Sequence, residues 1–381
     1  MVYRTMTYRP KVHLKQAIMH FLYVRLFKPV VFQIDPEKIH DDMVTFGESL
    51  GRYGVMRRIT AFLFDFQHPV LIQRIRGIDF RNPVGLSGGF DKNGRLTDIL
   101  PEVGFGFMEI GSITGDRCEG NPKPRMWRLK KSKSLLVHYG LNNRGARAIA
   151  RRLQGKNFRI PVGINIAKTN NQETVTKEAG AADYLRAYRE MRHIGDYVTI
   201  NISCPNAYGG CPFTDKDYLE YLLTRLATMP KTKPVFIKLS PDLTHREIDD
   251  IIALARRFKL DGFICSNLTK PRENPQIFDT DFPDYGGMSG KIVDDLSDRL
   301  IEYVFRQTGK EFVIIGVGGI FSVEDAYRKI RKGASLVQLI TGMVFEGPQL
   351  IGAINRGLVD LLERDGYRSI TEAVGVDVRE G

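Results

Sequence analysis

The segment Phe312-Val-Ile-Ile-Gly-Val-Gly-Gly-Ile320 is followed by an amphipathic stretch, Val323–Lys332, and then by Ser335-Leu-Val-Gln-Leu-Ile-Thr-Gly342. The two outer runs are short, mostly apolar and rich in β-branched residues. They lack the strict alternation of a half-exposed strand. This is the pattern of parallel strands covered on both faces. The stretch between them has helical spacing, so the segment reads as strand, helix, strand, the repeating unit of α/β folds.

Six further runs of the same kind precede this pair: Pro83–Ser87, Phe107–Gly111, Pro161–Ile166, Tyr197–Ile202, Pro234–Leu239 and Gly262–Ser266. Helical patterns fill many of the gaps, at Tyr184–Ile194, Tyr218–Thr228, His245–Phe258 and Asp294–Thr308. Eight buried strands with intervening helices predict an α/β fold, a (β/α)8 TIM barrel. The rival is a doubly wound open sheet. The count of eight and the usual barrel size of about 250 residues favour the barrel. The expected division is 1–75 as an N-terminal helical extension, 76–365 as the barrel and 366–381 as a tail. Two connections are long, Ser112–Ile160 and Asn267–Glu311. Both leave the C-terminal end of a strand, the face on which barrel active sites form.

The residues at those strand ends are of one kind. In chain order they include Ser87, Gly88 and Lys92, then Ser112, Asn165, and the segment Asn201-Ile-Ser-Cys-Pro-Asn206. Lys238, Ser266, Asn267, Gly318, Gly319 and Thr341 follow. Amides, hydroxyls and lysines converging from eight strands predict a binding site. The glycines of Gly316-Val-Gly-Gly-Ile320 and the Thr341-Gly342 pair leave backbone N–H groups for an anion, where many barrels hold a phosphate. Cys204 sits on a turn beside Pro205 and between two amides. A thiolate there can act as a base, and nearby lysine favours its formation. Cys118, Cys211 and Cys265 read as buried or inert.

The composition restricts the function further. Among 381 residues, 56 Lys and Arg face 44 Asp and Glu, a net charge of +12. Hydrophobic residues at 43% and charged residues at 26% describe an ordinary globular chain rather than a disordered or disulfide-stapled one. No zinc-like Cys/His spacing occurs, so no metal site is expected. The first 30 residues are basic, with Arg4, Arg9, Lys11, Lys15, Arg25 and Lys28. The apolar stretch Ala17–Phe32 is broken by Arg25, Lys28 and Pro29, and is too short for a span of about 20 apolar residues. A second amphipathic stretch runs from Tyr53 to Ile75. Two such helices either lie in a membrane interface or pack on the barrel. Few cysteines and no signal peptide point to a reducing, cytoplasmic compartment.

Taken together, these residues resemble the dihydroorotate dehydrogenases. The resemblance runs from about Leu22 to Leu361. Its markers are Asp35-Pro-Glu37, Asn82-Pro-Val-Gly-Leu-Ser-Gly-Gly-Phe-Asp-Lys92, Gly104-Phe-Gly-Phe-Met-Glu-Ile-Gly-Ser-Ile-Thr114, Glu119-Gly-Asn-Pro-Lys-Pro-Arg125, Asn201-Ile-Ser-Cys-Pro-Asn206, Lys238-Leu-Ser-Pro-Asp242, Gly286-Gly-Met-Ser-Gly290 and Gly316-Val-Gly-Gly-Ile320. The N-terminal extension and the Glu-Gly-Asn-Pro segment are similar to the membrane-associated, quinone-using class 2 branch. The resemblance implies FMN as cofactor, held by Ser87, Gly88, Ser112, Asn165, Asn201, Lys238, Ser266, Gly290, Gly318, Gly319 and Thr341. It implies dihydroorotate as substrate and orotate as product, held by Lys92, Asn201, Asn206 and Asn267, with Cys204 as the base. It further implies a quinone as acceptor, contact with the cytoplasmic face of the cell membrane through the N-terminal helices, and no nucleic acid partner.

The sequence departs from that pattern at several positions. Class 2 members carry Ser as the base, whereas Cys204 matches the soluble class 1 branch. A Thr three residues beyond the base is Ala207 here. An expected substrate amide is replaced by Val137 in Val137-His-Tyr-Gly-Leu141, a hydroxyl by Leu268, and a frequent Tyr by Ile340. Each lost polar contact to a substrate costs about 1–3 kcal/mol. Either Asn142, Asn143 or His138 compensates, or the substrate is another cyclic amide or enone. The alternative to quinone is a soluble acceptor, fumarate or NAD. Two rival functions remain: a flavin-free barrel with a nucleophilic Cys, similar to inosine monophosphate dehydrogenase, and a non-enzymatic membrane or nucleic-acid module.

Overall fold

The computed structural model describes residues 14–210 and 212–378. The N-terminal segment forms helices α1 (Leu14–Leu22), α2 (Pro36–Arg52) and α3 (Gly54–Phe64). α1 runs on through a wider π turn, Tyr23–Phe27, into Lys28–Val31. Arg4, Arg9 and Lys11 lie outside the described residues, as does Cys211. α2 is the helix that the apolar pattern did not announce. Its start is nonetheless legible: Asp35 Oδ1 accepts the Lys38 N–H at 2.8 Å, Pro36 takes the first helical position, and Glu37 adds a carboxylate to the first turn. Its stripe of Ile39, Met43, Phe46 and Leu50 is narrow and set among charges. The stretch expected to run to Ile75 leaves the helix at Phe64 and turns into a β-hairpin.

Eight parallel strands close into the predicted (β/α)8 barrel: β1 (Val84–Leu86), β2 (Phe107–Ile113), β3 (Val162–Ile166), β4 (Tyr197–Asn201), β5 (Val235–Leu239), β6 (Gly262–Cys265), β7 (Val313–Val317) and β8 (Leu336–Leu339). Spatial order follows chain order, and closure comes from β8 pairing with β1, Val337 opposite Val84. Each of the eight apolar runs is one of these strands. β3, β4, β5, β6 and β8 are buried along their whole length, which is why their side chains do not alternate.

The crossovers are α4 (Leu100–Val103), α5 (Ala146–Leu153), α6 (Lys177–Met191), α7 (Lys216–Leu226), α8 (His245–Arg257), α9 (Asp294–Thr308) and α10 (Val323–Arg331). After β8 come α11 (Thr341–Glu346) and α12 (Gln349–Asp365). The periodicity of Tyr184–Ile194 captures only the second half of α6, because its first turns carry Lys177, Glu178, Gly180 and Asp183 and are started by Thr176, which accepts the Ala179 N–H at 3.2 Å. Residues 366–378 fold back onto the barrel, with Ile370 and Ala373 buried.

The two ends of the barrel are finished differently. At the N-terminal mouth the hairpin Gln73–Ile75 and Ile78–Phe80 lies across the opening. Its turn residues Arg76 and Gly77 have φ of 50° and 82°, the left-handed pair that suits a two-residue hairpin. Phe80 meets Phe107 edge-on at 5.4 Å, and Tyr197, Phe236, Ile264 and Val313 complete the plug. The expected division at residues 75 and 76 runs through this hairpin. At the C-terminal rim the two long connections are zipped together. Met126–Leu129, Ser134–Val137 and Gly287–Met288 form a three-stranded antiparallel sheet in which Val137 pairs with both Met126 and Gly287.

Phe107 is fully buried, and its ring occupies the space that the absent side chain of Gly85 leaves. Phe107→Ala is expected to cost about 3–5 kcal/mol, read as a lower urea midpoint with an unchanged denaturant slope.

Candidate active site

The strand ends open into one cavity of about 660 Å³ that continues to the N-terminal helices. Of the residues picked out by sequence, Ser87, Gly88, Lys92, Ser112, Asn201, Cys204, Asn206, Lys238, Ser266, Asn267, Gly290, Gly318, Gly319 and Thr341 line it. Asn165 does not reach the cavity wall. It sits beneath Ser112, whose Oγ donates to Asn165 Oδ1 at 2.5 Å.

The floor is a connected polar layer. Asn201 Nδ2 donates to Ser112 Oγ at 2.8 Å, and Asn267 Nδ2 donates to Ser203 Oγ at 3.0 Å and to the Ser203 carbonyl at 2.9 Å. Ser203 Oγ in turn donates to the Lys238 carbonyl at 2.8 Å, and Lys238 Nζ reaches Ser87 Oγ at 3.2 Å. Below this layer lies Glu109, fully buried inside the barrel. It accepts from Asn165 Nδ2 at 2.8 Å and from Gln338 Nε2 at 2.6 Å. Sequence reading missed Glu109, although a single carboxylate in the apolar run Phe107–Gly111 is the signal for it. Burial lowers the Lys238 pKa, while Glu109 and Cys204 act in the opposite sense. The layer therefore places a desolvated amine under the cavity with one carboxylate beneath it.

Cys204 follows β4 on the loop that also carries Asn206. Asn206 Nδ2 donates to the Val137 carbonyl at 2.8 Å, and its Oδ1 lies 3.4 Å from His138 Nδ1. Val137, Leu268 and Ile340 all line the cavity, so these three departures from the family pattern fall on its wall, whereas Ala207 does not line it. The three candidate compensators separate clearly. Asn142 lines the cavity, with its Nδ2 donating to the Glu119 carbonyl at 2.8 Å. Asn143 is buried and holds Thr114 Oγ1 at 2.7 Å, and His138 bonds to Asn206 rather than facing the cavity. Cys118 is buried, with its Sγ donating to the Gly140 carbonyl at 3.3 Å, and burial pushes the Cys265 thiol far up.

The glycine turn after β7 has its own support. Gly319 has φ of 72°, and a Cβ there would meet Asp294 Oδ1 at 2.3 Å. Lys291 Nζ donates to the Gly319 carbonyl at 3.0 Å and to carboxylates of Asp294 and Asp325 at 3.0 and 2.8 Å. Asp325 also accepts the Phe321 N–H at 2.8 Å, and Arg328 reaches Asp298 and Asp294 at 2.5 and 2.8 Å. These residues fix the turn from behind. They belong to three different elements, and no local spacing reveals them.

Toward the N-terminal helices the lining becomes apolar, with Met19, Leu22, Phe46, Leu50 and Phe64. Lys92 stands between the two ends. Its pKa is lowered to about 8, mainly by burial, with Asp41 and Glu37 opposing. Its Nζ lies 3.9 Å from the centre of the Tyr139 ring and 3.2 Å from His40 Nε2. His40 and Tyr139 were not anticipated, because their part in the site depends on α2 crossing the rim.

The sequence model of the family described as "Dihydroorotate dehydrogenase" matches residues 70–362. A protein of Natronomonas pharaonis named "Dihydroorotate dehydrogenase (quinone)" is 40% identical over 358 residues, covering 93% of this chain and 99% of that relative. One of the same name from Trichodesmium erythraeum is 36% identical over 375 residues, covering 93% and 98%. The crystal structure of DHODH in complex with ferulenol from Eimeria tenella superposes with a TM-score of 0.78 at 29% identity, covering 91% of this chain and 96% of that one.

Gly319→Ala would place a side chain in strained backbone and against Asp294. It is expected to destabilise the protein by about 1–3 kcal/mol in urea denaturation. The double variant Gly319→Ala with Asp294→Ala is expected to recover little, since the backbone strain remains and Asp294 is itself a partner of Lys291 and Arg328.

Proposed function

The chain belongs to the dihydroorotate dehydrogenase family, and from that premise we propose that it oxidises dihydroorotate to orotate at this rim, with FMN as cofactor and a membrane quinone as acceptor. The reaction is a step of pyrimidine biosynthesis. The observation that carries the reading is the convergence of Cys204, the amides of Asn201, Asn206 and Asn267, and Lys92 and Lys238 on one cavity that also opens toward apolar helices.

The residues present fit FMN. Gly88 and Gly319 bring bare backbone to the cavity wall at positions where a Cβ would collide with the support behind it, 3.1 Å from Asn165 Nδ2 and 2.3 Å from Asp294 Oδ1. The buried Lys238 amine offers positive charge to a polar ring, and Ser112, Asn201 and Ser266 offer hydrogen-bonding groups beside it. The turn at Gly318 and Gly319, with Thr341, would hold the phosphate. Asn165 would act through Ser112. FMN, when bound, accepts the electron pair that leaves C6 of dihydroorotate.

The chain's own residues supply the rest. Cys204 Sγ takes the proton from C5, so the substrate loses one proton and one hydride and becomes orotate. A thiol with an ordinary pKa of about 8.5 needs less activation for this than a hydroxyl, which suits a site where Ala207 offers no relay. Asn201, Asn206 and Asn267 present amides to the imide edges, and Lys92 faces the carboxylate. Val137 does not remove the hold on Asn206, because the bond from Asn206 runs to the Val137 backbone carbonyl.

The N-terminal helices support a peripheral membrane contact. Leu14, Phe21, Val55 and Phe62 are exposed by 75%, 58%, 62% and 73% of their surface, on helices whose inner faces line the cavity or pack on the barrel. Among the described residues no helix is long and apolar enough to cross a membrane. The arrangement suits helices lying in the interface at the cytoplasmic face.

Anaerobic dihydroorotate is expected to bleach the flavin of the purified protein. Cys204→Ala should retain FMN and lose bleaching by at least ~100-fold. Surviving turnover would remove Cys204 as the base. The pH dependence of substrate binding tests Lys92 separately. A lysine with a pKa of about 8 is charged below that pH and neutral above it. Orotate affinity, read from the shift of the flavin spectrum in the Cys204→Ala protein, is therefore expected to fall by roughly tenfold per pH unit above 8. An affinity that stays level to about pH 9.5 would take Lys92 away from the carboxylate.

A further inference from the structure

We propose that the first turns of α2 are part of the substrate site, with His40 and Glu37 as positioning residues for Lys92 and Asn206. The proposal rests on the reading of those two residues as substrate-holding groups.

The first path is direct. His40 Nε2 lies 3.2 Å from Lys92 Nζ. The Lys92 ammonium has donors and no acceptor, so the ring nitrogen that faces it accepts. That bond places the proton of the neutral ring on Nδ1. Burial holds the ring well below the ordinary histidine range, so it is neutral at pH 7. Phe90 packs edge-on against the ring at 4.8 Å. A lysine has four rotatable bonds, and here its ammonium is fixed by an acceptor on one side and the Tyr139 face on another. What remains of its donor capacity points to the cavity it lines.

The second path is longer. Glu37 accepts from Arg125 Nη2 at 2.8 Å and from Nε at 3.1 and 3.2 Å, with both side chains over 90% buried. Arg125 Nη1 then donates to the carbonyls of Glu119 and Asn121 at 2.8 and 3.0 Å. Asn121 Nδ2 reaches the carbonyls of Asn206 and His138, both at 3.1 Å. Glu37 thereby fixes Arg125, Arg125 fixes the Asn121 backbone, and Asn121 fixes the loop that presents Asn206. The two paths share Tyr139, which has Lys92 on its ring at 3.9 Å and the Arg125 guanidinium at 5.1 Å.

The test is anaerobic stopped-flow reduction of the FMN-bound protein by dihydroorotate with no quinone present, so that only the substrate half-reaction is read. His40→Phe keeps a ring and removes the nitrogens. It and Glu37→Gln are each expected to raise the half-saturating dihydroorotate concentration about tenfold, with the limiting rate changed less than threefold. His40→Gln, which restores an acceptor, should return half-saturation to within threefold of the starting protein. Adding His40→Phe to Lys92→Ala should produce no further loss, because the two act through one interaction. Half-saturation within twofold in both single variants, with only reoxidation by a short-chain quinone slowed, would overturn the proposal. If dihydroorotate does not bleach the unaltered protein, the functional reading has failed instead. The positioning of Lys92 is then read by its modification with an amine-selective reagent, mapped by mass spectrometry. That modification should rise at least threefold in His40→Phe, and an unchanged rate would overturn the proposal.

Discussion

Arg125 is a buried guanidinium whose charge is matched by one buried carboxylate, Glu37, and the rim of the barrel is arranged around that pair. Burial alone would raise the Glu37 pKa, but hydrogen bonds and charge from Arg125 and Lys123 outweigh it and hold the carboxylate below its ordinary range. Breaking such a pair from one side leaves an uncompensated charge, at about 3–5 kcal/mol. The pair joins α2 to the long connection after β2. An N-terminal segment that sequence patterning sets apart from the barrel is consequently bonded into the active-site wall. Arg95 and Arg152 reinforce the same helix through Glu48, with Arg95 Nε donating at 2.6 Å.

Barrel closure explains why so few side chains are needed. It brings eight strand ends to one rim, so residues far apart in the chain become hydrogen-bonded neighbours, as Ser87 and Lys238 are at 3.2 Å. Rigidity then comes from below and behind. Glu109 locks the interior layer through Asn165 and Gln338, and the Lys291, Asp294 and Asp325 cluster locks the glycine turn. In both places the buried carboxylates are satisfied within the protein, so the cavity meets backbone, amides, hydroxyls and the Lys238 amine but not Glu109, Asp294 or Asp325.

This division accounts for what the sequence disclosed. Strands buried on both faces must be apolar throughout, so all eight were legible, and α9 was legible to the residue. The strand-end residues were legible because polar groups ending apolar runs are conspicuous. The three-stranded sheet over the rim was not, since its strands have two to four residues and gain stability only by pairing across connections distant in sequence. His40, Glu37, Tyr139 and Lys291 were hidden for a related reason. A histidine or a glutamate in a polar helix looks like surface until the helix is placed, and α2 is placed by tertiary bonds. Val137 is a case of another kind. It reads as a lost amide, yet its backbone carbonyl keeps a role that no side-chain comparison reports.

The cavity itself argues for the class of acceptor. Its strand end carries Asn201, Lys238 and Asn267, whereas its helical end carries Met19, Leu22, Phe46, Leu50 and Phe64. An anionic acceptor such as fumarate, or a dinucleotide, entering past those five side chains would shed hydration against hydrocarbon, at a cost of several kcal/mol per unpaired charge, and the cation at that end, Arg128, is already tied to the Ile34 carbonyl at 2.7 Å. A quinone with an apolar tail gains from the same passage, at about 25 cal/mol for each Å² removed from water. The outer faces of α1 and α3 expose Leu14, Phe21 and Phe62, so the proposed membrane contact and the passage would form one continuous apolar path. α2 therefore meets two environments at once: one stripe faces the apolar passage, and His40 in its first turns holds the Lys92 ammonium toward the strand end of the cavity.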